Sequence, residues 1–216
     1  MIKAVLFDFG GVILTSPFEA FNRYEASKGL PADVIRTINA TNPDDNAWAK
    51  LERSDVDVHG FAELFEQEAA AIGHEINGRD ILGLLSGEVR PRMAAAVAKV
   101  RAEGFITACL TNNFLSRESG EGKGSGVSEG DPARNAVMAQ FHEVIESSRI
   151  GIRKPELGFY EKALELLEIE ASDAVFLDDL GINLKPAKAM GMTTIKVGDP
   201  DVALAELSEI IGVEFD

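Results

Sequence analysis

Ile2-Lys3-Ala4-Val5-Leu6-Phe7-Asp8-Phe9-Gly10-Gly11 decides the fold. Residues 2–7 form a nearly unbroken apolar run that stops at an acid followed closely by two glycines. Such a run reads as a strand buried on both faces and ended by a tight turn, the pattern of a parallel sheet. Runs of the same kind recur at 105–110, 144–145, 174–177 and 193–197, with helical stretches at 92–103, 156–168, 183–190 and 201–211. From residue 92 onward helix and strand alternate, which predicts right-handed βαβ crossovers and a Rossmann-like α/β core with a parallel sheet.

Residues 17–88 break the alternation. Apolar positions recur there at helical spacing, as in Phe61, Leu64, Phe65 and Ile72, with no convincing strand. An all-helical insert is expected. It leaves the core after the first strand and returns near Arg90-Pro91, where proline suits a helix start. The expected division is a core of residues 1–15 and 92–216 and a helical insert of residues 16–91. The glycine- and serine-rich stretch 116–132 reads as a mobile loop after the second core strand. Its Gly120-Glu121-Gly122-Lys123-Gly124-Ser125 does not match the spacing of a phosphate loop.

Composition narrows the function classes. A chain of 216 residues, 45% hydrophobic and 26% charged, has room for one well-buried domain with a smaller insert. With 21 basic and 36 acidic residues its net charge is −15, a field that repels nucleic acid and anionic lipid. The one cysteine, Cys109, permits neither an intrachain disulfide nor a zinc cluster and fits a reducing cytoplasm. The acid at position 8 comes too early for a signal peptide, and no run reaches membrane-spanning length. Asn39-Ala40-Thr41 reads as a chance match to a glycosylation acceptor.

In doubly wound folds ligands bind outside the carboxyl ends of the strands. Asp8, Thr111-Asn112-Asn113 and Asp178-Asp179 end strands there, and Lys154-Pro155 opens the helix after the third. Together they make sense as a divalent-metal and phosphate site. Clustered carboxylates need a cation, and hard oxygen ligands suit Mg²⁺. Lys154 and the Thr111 hydroxyl are suited to phosphate oxygens, and a carboxylate beside such a centre can attack phosphorus. Asp8 is the natural nucleophile, since the glycines after it let substrate approach the backbone. The bland alternative makes Asp178-Asp179 a double-acid cap on a helix beginning near Gly181, which leaves adjacent acids at a buried strand end without a partner.

Four segments carry a resemblance: Phe7-Asp8-Phe9-Gly10-Gly11-Val12-Ile13, Leu110-Thr111-Asn112-Asn113, Arg153-Lys154-Pro155-Glu156 and Phe176-Leu177-Asp178-Asp179-Leu180-Gly181. In order they resemble the four motifs of the haloacid dehalogenase (HAD) superfamily. Residues 176–192 look like the phosphatase domain of soluble epoxide hydrolase and the related domain of some acyl-CoA dehydrogenases. The resemblance implies that the insert is a helical cap and that Asp8 is the nucleophile. It makes Asp8, Thr111 and Lys154 the catalytic candidates, and Gly11, Thr111, Asn112 and Lys154 the substrate-binding ones. Mg²⁺ would be held by Asp8, the Gly10 carbonyl and Asp179, with Asp178 in support, while Asn183 orients the acidic loop. The expected partner is a small phosphorylated substrate, with no nucleic acid and no membrane; oligomeric state is left open.

One departure stands out. Phosphatases of the superfamily usually carry a second Asp two positions after the nucleophile, where this chain has Gly10. General acid–base help is worth ~10²–10⁴-fold, so three outcomes remain open: a leaving group that needs little protonation, proton transfer by water or a cap residue, or phosphate binding with feeble turnover. A metal-independent 2-haloacid dehalogenase is a further reading, although it has no need of the Asp178-Asp179 pair. His59, His74 and His142 lie far apart in sequence, and Asp55-Val56-Asp57 lacks the rest of a calcium loop. Phe61, Leu64 and Phe65 read as core of the insert. Phe18, Asn22, Trp48 and Arg53 are candidates to face substrate from it.

Overall fold

Ala4–Phe7 (β1) has every residue buried because strands pair with it on both sides and helices cover both faces. The structure is a computed structural model and describes residues 1–116, 123–124 and 131–215. The predicted loop 116–132 lies largely outside those residues. In chain order the elements before the second strand are helices Phe18–Lys28 (α1), Val34–Ala40 (α2), Ala47–Glu52 (α3), Val58–Ala71 (α4), Gly78–Gly83 (α5) and Pro91–Ala102 (α6). Ile106–Thr111 (β2) follows, then a short antiparallel pair, Leu115–Ser116 (β3) with Lys123–Gly124 (β4). The remainder is Pro132–Met138 (α7), Glu143–Glu146 (β5), Ser147–Ile150 (α8), Leu157–Leu167 (α9), Ala174–Asp178 (β6), Gly181–Ala189 (α10), Thr193–Lys196 (β7) and Pro200–Ile211 (α11).

The main sheet has five strands in the order β5-β2-β1-β6-β7, all parallel. Counted within the sheet this is a doubly wound 3-2-1-4-5 arrangement, whose reversal beside β1 places ligands at the carboxyl ends of β1, β2 and β6. Period-two alternation divides the strand residues between two cores. Val5, Phe7, Cys109, Val175 and Leu177 meet Met93, Val97 and Val100 of α6 and Leu204 and Leu207 of α11. Ala4, Leu6, Ala108, Leu110 and Phe176 meet Phe159, Tyr160 and Ala163 of α9 and Leu184 and Ala187 of α10.

Helices α1–α5 enclose a third apolar cluster of their own, built on Phe21, Ile35, Ile38, Leu51, Phe61, Phe65 and Ile81. The chain enters and leaves this helical segment side by side: Leu14 bridges Val89 antiparallel, Thr15 N–H donates to Glu88 O at 2.8 Å and Arg90 N–H to Ile13 O at 2.8 Å. Pro91 opens α6 as the first helical residue, where its missing N–H costs nothing. Two short helices, α7 and α8, lie where no helix is predicted. Asp131 caps the first by accepting from Ala133 and Arg134 N–H, a Ser/Asp-type start signal read in the sequence as loop. No helix among the described residues is long and apolar enough to cross a membrane.

Candidate active site

Asp8 continues the β1 ladder by donating its N–H to Leu177 O at 2.8 Å. The chain then turns sharply through Phe9–Ile13, with the Asp8 carboxylate accepting from Phe9 N–H at 2.6 Å. Gly11 has φ +77°, and a Cβ there would collide with the Asp179 carboxylate, so only glycine lets this acid pack against the turn. Gly10 differs: its φ of −69° suits any residue, and nothing lies within 4 Å of a Cβ built on it.

At the end of β6 the Asp178 carboxylate is fully buried and fully used. Oδ1 accepts from Leu180 N–H at 2.8 Å and Asn183 Nδ2 at 3.1 Å, and Oδ2 accepts from Lys154 Nζ at 2.8 Å and Asn183 Nδ2 at 3.0 Å. Asp178 therefore fixes the acidic loop, and α10 starts from Leu180 with no side-chain cap. The double-acid cap is not what forms. Asn183 is held in turn by Tyr160, whose hydroxyl donates to Asn183 O at 2.7 Å. Asp179, only partly enclosed, has its carboxyl pushed up to about 6 by burial and then by the neighbouring Asp178 charge.

Lys154 brings the positive charge. Its ammonium is buried between Asp8 Oδ1 at 2.9 Å and Asp178 Oδ2 at 2.8 Å, 5.4 Å from the centre of the Phe176 ring. Burial disfavours that charge, but the two facing carboxylates outweigh burial and hold the ammonium protonated. For Asp8, burial raises the pKa well above the usual range, Lys154 opposes the rise and the Asp178 charge adds to it. Asp8, Asp178 and Asp179 offer carboxylate oxygens all within 4.8 Å of one another. Three acids facing one ammonium leave excess negative charge on hard oxygen donors, a donor set that fits Mg²⁺.

Thr111, the last residue of β2, is buried, and among the described residues its Oγ1 reaches the Asn112 carbonyl at 3.4 Å. The Asn112 side chain is engaged by protein: its amide donates to Lys154 O at 2.9 Å and to Glu52 Oε2 at 3.0 Å, and accepts from Lys154 N–H at 2.9 Å. Asn113 anchors the same loop by donating to Glu146 Oε1 at 2.6 Å and accepting from Ser148 Oγ at 2.7 Å.

The residues suggested in the insert fare differently. Trp48 packs on Phe61 at 4.6 Å and donates to Asn39 Oδ1 at 2.6 Å, Phe18 lies under the Arg36 guanidinium at 4.5 Å, and Arg53 pairs with Asp55 at 3.0 Å and Glu156 at 3.3 Å. Asn22 is exposed on α1. Phe61 and Phe65 are core, as expected. His59 meets Glu63 and Arg79, and His142 meets Thr107. What sequence reading missed is Glu52, 101 residues from the Arg153 whose Nε lies 2.5 Å from Glu52 Oε2. No local pattern signals a partnership across that separation.

Comparison with known proteins shows the family. Residues 2–191 match the model of the haloacid dehalogenase-like hydrolases. The chain is similar to acyl-CoA dehydrogenase family member 10 of Mus musculus, 32% identical over 97% of this chain and 19% of that protein. It is 28% identical to bifunctional epoxide hydrolase 2 of Sus scrofa over 99% of this chain and 40% of that protein. It thus spans well under half the length of both relatives. Similarity to the glyceraldehyde 3-phosphate phosphatase of Methanocaldococcus jannaschii is 34% identity over 91% of this chain and 85% of that one. A HAD family enzyme of Bacteroides thetaiotaomicron, solved with magnesium and inorganic phosphate, superposes with a TM-score of 0.59 at 18% identity, covering 92% of this chain and 96% of that one. With the family model matched over residues 2–191, a span that includes Asp8, Lys154 and Asp178-Asp179, the chain belongs to the haloacid dehalogenase-like hydrolases.

Proposed function

We propose that the protein is a Mg²⁺-dependent phosphohydrolase acting on a small phosphorylated metabolite through an aspartyl phosphate on Asp8. One observation carries this reading: Asp8 lies with Asp178 and Asp179 inside 4.8 Å, and its carboxylate is 2.9 Å from the Lys154 ammonium. The phosphatase relative and the magnesium- and phosphate-bound neighbour support it. Asp8, Asp179 and the Gly10 carbonyl would hold the metal, with Asp178 beside them, and Mg²⁺ would supply neutralisation of phosphoryl charge.

The chain's own groups divide the rest. An Asp8 carboxylate oxygen attacks phosphorus, the ester P–O bond breaks, and the leaving oxygen takes a proton from water. Water then attacks the aspartyl phosphate, releasing inorganic phosphate and returning the carboxylate. Lys154 and the Thr111 hydroxyl stabilise charge on the phosphoryl oxygens, and the Gly11 turn lets the substrate reach the backbone. With Gly10 supplying no acid, substrates whose leaving group needs little protonation turn over fastest. Helices α1–α5 act as a cap that excludes bulk water during transfer. A single cysteine, Cys109, free and buried, suits a reducing cytoplasm.

A screen of sugar, acyl, lipid and nucleotide phosphates with and without Mg²⁺ tests this reading. Phosphate release abolished by EDTA and by Asp8→Asn is the expected result. Halide release from a 2-haloacid without metal would replace the reading with a dehalogenase.

A further inference from the structure

The joint between the helical insert and the sheet is polar and converges on one carboxylate. Glu52, the last residue of α3, directs Oε2 at Arg153 Nε, 2.5 Å away, and at Asn112 Nδ2, 3.0 Å away. Around it Arg153 Nη1 donates to Pro43 O at 3.0 Å, Arg53 Nη1 to Glu156 Oε1 at 3.3 Å and Ser54 Oγ to Ser148 O at 3.0 Å. The Glu52 and Arg153 side chains are only 16% and 14% exposed, unlike the exposed ion pairs on α1. Partly buried, Glu52 depends on both donors, since removing one partner of an enclosed pair leaves the other charge uncompensated.

Asn112 makes this joint more than a fastening. One amide hydrogen goes to Glu52, the other to the Lys154 carbonyl, and the amide oxygen receives the Lys154 N–H. A carboxylate only accepts, so Glu52 takes the same Nδ2 end of the Asn112 amide that the Lys154 carbonyl takes, and a flipped amide would lose both bonds. The third bond braces the two-point clamp on the Lys154 backbone, whose ammonium stands between Asp8 and Asp178. We infer that Glu52 is a positioning residue: from the insert it locks the Asn112 amide and thereby sets Lys154 against the nucleophile, so that docking of the insert and readiness of the phosphate-binding ammonium are one event. The inference rests on the phosphohydrolase reading for its kinetic consequence but not for its structural one.

Glu52→Gln, Glu52→Asp and Ser54→Ala are compared with the unaltered protein. Ser54→Ala removes a bond across the same joint without touching Asn112. Glu52→Gln is expected to lower kcat/KM by about 10–100-fold and to weaken competitive inhibition by inorganic phosphate about tenfold, with Ser54→Ala within twofold on both. By NMR the Asn112 side-chain amide exchanges slowly in the unaltered protein and in Ser54→Ala, and fast in both Glu52 variants. The Asp variant keeps the measurement meaningful if the Gln variant melts. Slow Asn112 exchange in both Glu52 variants overturns the inference, as does an equal kinetic loss in Ser54→Ala. If the unaltered protein hydrolyses no phosphomonoester, the phosphohydrolase reading fails by itself, and the amide exchange still decides the role of Glu52.

Discussion

At the carboxyl edge of the sheet, Lys154 is 1% exposed and shares its ammonium between Asp8 and Asp178; in the insert, Lys28 reaches Asp80 at 3.8 Å with the two side chains 55% and 46% exposed. The second pair is solvated, screened by salt and worth ~0–1 kcal/mol. Stability of the insert comes from Phe61, Phe65, Leu51 and their apolar neighbours. Desolvating the first set is costly, and a hydrophobic filling of the same space is often more stable. Buried charge kept at a sheet edge under that cost signals chemistry, whereas solvated charge on a helix signals only solubility.

Several substitutions break or sharpen that contrast. Asp8→Asn, measured with Mg²⁺ and a phosphomonoester, is expected to lower kcat by roughly 10⁴-fold or more, as removal of a nucleophile does. Its thermal midpoint stays close to that of the unaltered protein, because Lys154 keeps Asp178 as a partner. Gly10→Asp places an acid where nothing lies within 4 Å of the new Cβ. Rates for substrates with poor leaving groups should rise by ~10²–10⁴-fold, and those for activated aryl phosphates should barely change. Equal gains on both would contradict the account of Gly10.

Stability reads the same contrast. Lys154→Met leaves two buried acids facing each other and is expected to cost about 3–5 kcal/mol in urea unfolding without metal. Lys28→Ala, at its exposed pair, should change stability by less than about 1 kcal/mol. A smaller effect follows from Asp179, whose carboxyl is held up to about 6 in the folded chain. A raised acid favours folding while it is protonated, so this contribution is present at low pH and is lost as pH rises through about 6. Mg²⁺ should therefore raise the thermal midpoint more at pH 7 than at pH 5, where protons compete for the same carboxylate.

The sheet was legible because fully buried parallel strands leave dense apolar runs. The run 105–110 matches Ile106–Thr111, and 174–177 matches Ala174–Asp178. Helices between them show through their periodicity and stops, as 156–168 does for Leu157–Leu167. The convergence of Asp8, Lys154, Asp178 and Asp179 follows from topology, since parallel strands deliver all their carboxyl ends to one edge. Side-chain direction is not written that way. Asn112 sits at the expected edge, yet its amide clamps Lys154 and faces Glu52. Trp48 and Arg53 are tied up by Phe61, Asn39, Asp55 and Glu156 through packing that no spacing rule encodes.

Asp8 as the attacking group is the central claim, and covalent capture tests it most directly. Acid quenching during turnover of a phosphomonoester with Mg²⁺, followed by peptide mass spectrometry, should find one phosphoryl group on Asp8 and none in Asp8→Asn. Full turnover with Asp8 never phosphorylated, and inversion of configuration at a stereochemically labelled phosphorus in place of the net retention that two displacements give, would contradict it.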